Sequence, residues 1–142
     1  MRKQILVAAI AAMTFLAVAS AGAGGKPLFS RLTGADEAPG PGDPDGSGEV
    51  VLQINSGQQQ VCFQLNVRDI TLPAAAAHIH VGAEGVPGPV VIGLTAPDAN
   101  GTSSGCISAD RDLLREIAQN PQNYYVNVHT SDFPAGAVRG QL

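Results

Sequence analysis

Glu49-Val50-Val51-Leu52-Gln53-Ile54-Asn55-Ser56-Gly57-Gln58-Gln59-Gln60-Val61-Cys62-Phe63-Gln64-Leu65-Asn66-Val67 is the stretch that decides the fold class. Val50, Leu52 and Ile54 recur at every second position, and so do Val61, Phe63, Leu65 and Val67. Successive side chains of a strand point to opposite faces, so this alternation marks two half-buried strands. Cys62, Gln64 and Asn66 fall on the opposite, polar phase of the second strand, which we place at Gln58–Ile70. Ser56-Gly57 turns the chain between them, and the pair reads as an antiparallel hairpin with one buried face.

The same punctuation extends in both directions. Upstream, Leu28–Gly34 reads as a strand and Ala35–Gly48, dense in Gly, Pro and Asp, as a loop. Downstream, Leu72–Ala76 is a linker. Ala77–Val81 is a strand with Ala77, Ile79 and Val81 on one side and His78 and His80 on the other. Gly82–Gly88 turns, Val90–Leu94 is a short apolar strand, and Thr95–Gly105 reads as a polar loop reaching Cys106. Asp110–Asn120 is the one helical pattern: Ser108 or Asp110 can cap it, Leu113, Leu114 and Ile117 form its stripe, and Pro121 ends it. Tyr124–Thr130 is a strand with Tyr124, Val126 and Val128 inward and Tyr125, Asn127 and His129 outward. Asp132–Gly136 turns, and Ala137–Leu142 is the last strand. Short strands at this spacing predict an all-β fold, a Greek-key sandwich or barrel of about eight strands with one short helix near the C-terminal third.

The N-terminus is built differently. Met1-Arg2-Lys3 precedes an apolar run from Ile5 to Ala19 and then Ala19-Ser20-Ala21-Gly22-Ala23, the layout of a secretory signal peptide over residues 1–23 with cleavage after Ala21 or Ala23. The competing reading is a membrane anchor over Gln4–Gly25, an uncharged run of spanning length. Its second half is Ala, Gly and Ser, and no basic cluster follows to stop transfer. Cleavage leaves about 120 residues, enough for one domain with its own core. Losing Arg2 and Lys3 takes the formal charge from −4 to −6. An acidic chain without a basic cluster is a poor partner for nucleic acid or anionic lipid, and no further run of spanning length follows the leader. The expected location is secreted, periplasmic or extracellular. In that setting Cys62 and Cys106, the two cysteines of the chain, are expected to form a disulfide, with Cα atoms about 4.4–6.8 Å apart.

Two separated motifs resemble a known family. Ala77-His78-Ile79-His80-Val81-Gly82 with Gly85-Val86-Pro87-Gly88-Pro89-Val90-Val91 is the first; Tyr125-Val126-Asn127-Val128-His129-Thr130 with Pro134-Ala135-Gly136-Ala137-Val138-Arg139-Gly140-Gln141-Leu142 is the second. Both are similar to the chordin-type (CHRD) domain, as is Gly42-Asp43-Pro44-Asp45-Gly46-Ser47-Gly48 in the opening loop, and the domain is placed at residues 28–142. The resemblance implies an extracellular β module with no established catalysis. The chain has a single copy without cysteine-rich modules, so the growth-factor binding of animal chordins does not transfer. More loosely, the H-x-H strand, the later Val-His strand and the Gly-Ala-x-Arg-Gly segment resemble copper–zinc superoxide dismutase. That resemblance implies copper ligation at His78, His80 and His129. The zinc loop of that family has no counterpart, because Gly82–Val90 is short and holds no histidine.

All three histidines of the chain fall in these motifs. His78 and His80 share a strand face, and imidazoles at metal–nitrogen distances of about 2.0–2.1 Å suit copper, zinc, nickel or iron. The competing reading is that they hydrogen-bond neighbouring turns. Arg139, after a Gly-rich turn, can aim its guanidinium at an anion, buttress the site from behind, or pair with Glu84, Asp132 or another acid. Asp43–Glu49 superficially resembles a calcium loop but reads better as a Pro-Asp-Gly turn. Asn100-Gly101-Thr102 is a glycosylation sequon. No catalytic residues are assigned. The leading reading is a secreted, non-catalytic binding or structural module with an unidentified extracellular or envelope ligand and no cofactor assigned beyond the copper or zinc of the alternative. The alternative is a copper or zinc protein with a three-histidine site. Ring nitrogens within about 4–5 Å of one another would favour the alternative.

Overall fold

A computed structural model of the chain describes residues 24–142, so the leader reading for residues 1–23 lies outside the described residues. Eight strands form one antiparallel sheet: β1 (Lys26–Thr33), β2 (Ser47–Asn55), β3 (Gln60–Arg68), β4 (Ala76–Val81), β5 (Val90–Leu94), β6 (Thr102–Ser108), β7 (Tyr124–His129) and β8 (Val138–Gln141). Their order is β5-β4-β7-β8-β1-β2-β3-β6, and the sheet curls into a nearly closed barrel. Strand β8 returns beside β1 to give β8-β1-β2-β3, the Greek-key order.

The alternation in β2 and β3 sets this arrangement. Val50, Leu52, Val61 and Leu65 are fully buried, and the register places Val50 opposite Leu65 and Leu52 opposite Phe63. A slip of one residue would turn the whole apolar set outward, so burial fixes the register. Ile79 and Val126, paired across β4 and β7, close the core from the other side. Helix α1 (Arg111–Gln119) begins where the Asp110 carboxylate accepts the backbone N–H of Asp112 at 2.9 Å and of Leu113 at 3.0 Å. It buries Leu114 and Ile117 in the barrel core. Among the described residues, no helix is long and apolar enough to cross a membrane.

Three expectations are corrected. Most of the Thr95–Gly105 loop's second half belongs to β6, which pairs with β3 from Asn66 opposite Thr102 to Gln60 opposite Ser108. This strand ends the sheet, and its residues are exposed or half-buried, so it carries no apolar alternation to reveal it. Cys62 and Cys106 are direct partners in that register and are disulfide-bonded, with Cα atoms 3.9 Å apart, closer than the expected range. A structural disulfide is a feature of oxidising compartments. Finally, the outward phase of β7 is not outward: Tyr125 is 2% exposed and Asn127 3%. Loops cover that face, and the histidines lie beneath and beside them.

Candidate metal centre

The site is built on β4 and β7. Their antiparallel register sets His78 opposite Asn127, His80 opposite Tyr125 and Ala76 opposite His129. His78 and His129 are therefore diagonal neighbours on one face, within reach of long side chains. Ring centroids lie 5.0 Å apart for His78 and His129, 5.5 Å for His78 and His80, and 6.4 Å for His80 and His129. One ring nitrogen from each lies within 4.8 Å of the others. Three ligands sharing an ion at about 2 Å lie about 3.3–3.5 Å apart in tetrahedral or trigonal geometry, so a contraction of up to roughly 1.5 Å completes the set.

Backbone carbonyls decide which nitrogens carry lone pairs. His80 Nδ1 lies 2.8 Å from the Gly88 carbonyl and His129 Nδ1 lies 3.0 Å from the Pro134 carbonyl. A carbonyl can only accept, so both Nδ1 atoms donate and both Nε2 atoms are unprotonated acceptors in the neutral rings. His129 Nε2 then faces His78 Nδ1 at 3.1 Å. His80 Nε2 is buried and has no hydrogen-bond partner among the described residues. Carbonyl-tethered imidazoles with the opposite nitrogen free are the arrangement seen in histidine metal ligands, where the tether fixes tautomer and ring orientation.

Electrostatics also favours neutral rings. Burial first, then the neighbouring His129 and His80, hold the His78 pKa below its ordinary value. Burial lowers that of His129 as well, and the hydrogen bond to Pro134 opposes it in part. Neutral imidazole is the form that ligates.

The loop between β4 and β5 is pinned against this face. Glycine is required at position 88, because a Cβ there would overlap the Val81 carbonyl. The Gly88 N–H donates to Tyr125 Oη at 3.1 Å, and the Tyr125 ring stacks on His80 with centroids 4.7 Å apart and planes 8° from parallel.

Residues 28–142 match the family model for the CHRD domain. The chain belongs to the CHRD domain family. No curated protein and no solved structure matches it.

Within this CHRD domain, the structure brings His78, His80 and His129 together, as the two motifs lead one to expect. Arg139 sits elsewhere on the face. It is 1% exposed and makes no ion pair with Glu84 or Asp132; the one ion pair among the described residues joins Arg115 and Asp112. Asp132 is instead hydrogen-bonded by Thr71 and Ser131. The Asp43 carboxylate accepts the Asp45 N–H at 3.2 Å, an Asx turn of the kind a Pro-Asp-Gly sequence makes. Tyr125, Asn127 and Glu37 are the residues of this face that sequence reasoning missed. The signal was present for two of them: an aromatic and an amide share the polar phase of β7 with His129.

Proposed function

We propose that this CHRD domain is a secreted module whose bound ligand is one copper or zinc ion, held by His78, His80 and His129. The observation that carries the reading is the buried, unpartnered His80 Nε2, with its own Nδ1–H committed to Gly88. A buried acceptor without a donor costs about 1–3 kcal/mol, which a metal would offset. The donor set is three neutral nitrogens without a carboxylate or thiolate, which suits copper and zinc rather than calcium or magnesium. On intrinsic affinity copper outcompetes zinc. Three protein ligands also leave a coordination position for an outside ligand. The leader layout and the Cys62–Cys106 bond support secretion.

Calorimetric titration of metal-free protein with Cu²⁺ and Zn²⁺ at neutral pH tests this, on wild type, His78→Ala and His129→Ala. We expect one tight copper site per wild-type chain and its loss in both variants, with circular dichroism unchanged. Equal weak binding by all three proteins would leave the histidines as structural hydrogen-bonding groups, and the domain as a binding module for another ligand.

A further inference from the structure

Arg139 is a buried cation with no carboxylate at ion-pair distance among the described residues, on the face that carries the histidines. Burying a charge is costly unless polar groups replace its water. Here they do, and the two carbonyls among them lead toward His80. Nη2 donates to the Ala83 carbonyl at 2.8 Å and to Gln141 Oε1 at 3.2 Å; Nη1 donates to the Val86 carbonyl at 3.1 Å. Ala83 and Val86 belong to the loop that presents the Gly88 carbonyl to His80 Nδ1. The guanidinium also lies over the Tyr125 ring, with Cζ 3.4 Å from its centroid, and that ring also stacks on the His80 imidazole.

We infer that Arg139 is a positioning residue for the metal centre. Through the Gly82–Pro89 loop it sets the carbonyl that holds the edge of His80, and through Tyr125 it sets the ring that holds the face. The two routes converge on one imidazole, fixing its orientation and its Nδ1–H tautomer and leaving Nε2 free. Only a planar guanidinium fork bonds two loop carbonyls while stacking on an aromatic face; an ammonium keeps the charge but loses the fork. Arg139 is thus directed at backbone and ring, not at a solution anion.

The inference rests in part on the metal reading, so its test has one arm that needs no metal. Long-range ¹H–¹⁵N correlation spectra of the metal-free wild type should show His80 protonated at Nδ1 and bare at Nε2. In Arg139→Met the Nε2–H tautomer should appear at a comparable population, and Arg139→Lys should recover part of the wild-type ratio. In the metal arm, Cu²⁺ affinity should fall about 10–100-fold in Arg139→Met, the range for losing support behind a ligand, with an altered copper EPR spectrum. Tyr125→Leu, which removes the stack and the Oη contact to Gly88 but keeps Arg139, serves if Arg139→Met does not fold. A wild-type His80 protonated at Nε2 overturns the inference, as does an Arg139→Met protein with unchanged tautomer and copper affinity. A wild type that binds no copper while Arg139→Met still shifts the His80 tautomer refutes the metal reading and leaves the positioning role standing.

Discussion

Replacing Glu37 with Gln should remove the loss of stability that this carboxyl contributes as pH rises from 5 to 8. Glu37 is 8% exposed, and its Oε1 has no hydrogen-bond partner. Asn127 Oδ1 is buried and equally unpartnered. Gly136, at φ 146°, closes over the carboxyl, and a Cβ there would overlap it. Burial raises the Glu37 pKa from 4.5 to about 7; Arg139, the Ala38 N–H and Asn127 pull it back, and Asp36 adds slightly to the rise. The folded state therefore holds this proton more tightly than the unfolded state. Its contribution is fully present below pH 4.5 and is lost as pH rises through about 7. The gap between the two values corresponds to at most about 3.4 kcal/mol, and screening on the solvent side reduces this to about 2. Glutamine supplies a permanent donor of the same shape and does not titrate. Urea unfolding at pH 5 and pH 8 then separates the proteins. Wild type should lose about 2 kcal/mol more than Glu37→Gln, close to 1 M in midpoint at an m-value near 2 kcal/mol per M. Comparing the two cancels the opposite contribution of His78 and His129, whose lowered pKa values cost stability as pH falls. Parallel pH profiles for wild type and variant would refute the burial argument.

Two further outcomes follow from the disulfide and the histidines. Reducing Cys62–Cys106, which closes a segment with sequence separation 44, should destabilise the domain by up to about 4 kcal/mol in denaturant titrations with and without reductant; a loss below about 1 kcal/mol would contradict it. Because burial lowers the pKa of His78 and His129, Cu²⁺ affinity should persist through the ordinary histidine range near pH 6.5 and fall only at lower pH, which calorimetry at several pH values reads directly.

How far the sequence carries depends on whether a strand has one wet face. In β2 and β3 the polar phase is exposed or half-buried, so apolar alternation maps onto burial residue by residue, and strand, face and hairpin are legible. Helix α1 is legible because its cap, stripe and stop are all local. Strand β6 is not, since a sheet-end strand of Thr, Ser and Gly carries no packing pattern; its pairing comes from the partner strand. The three histidines are legible as a set because H-x-H guarantees a shared face and the second motif adds a third histidine. Their tautomers are not, because those depend on Gly88 and Pro134 carbonyls delivered by loops.

Strand β7 shows where alternation fails and what that failure marks. Its polar phase, read as outward, holds Tyr125 and Asn127 at 2% and 3% exposure. His80 on β4 and Arg139 on β8 lie on the same face, and Glu37 comes down from the loop after β1. On the outer face of β1 and β2, by contrast, Phe29 is 56% exposed and Val51 38%. One flank of the barrel therefore leaves apolar side chains in water while the other takes a glutamate, a histidine, an asparagine and an arginine out of it. Burying such groups opposes folding, and three of the four buried unpartnered side-chain atoms among the described residues, at Glu37, His80 and Asn127, sit in this layer. Stability alone gives no reason for that distribution, since apolar residues of similar volume would pack there without the desolvation cost. A site that must hold imidazoles neutral, oriented and partly shielded from water does give one.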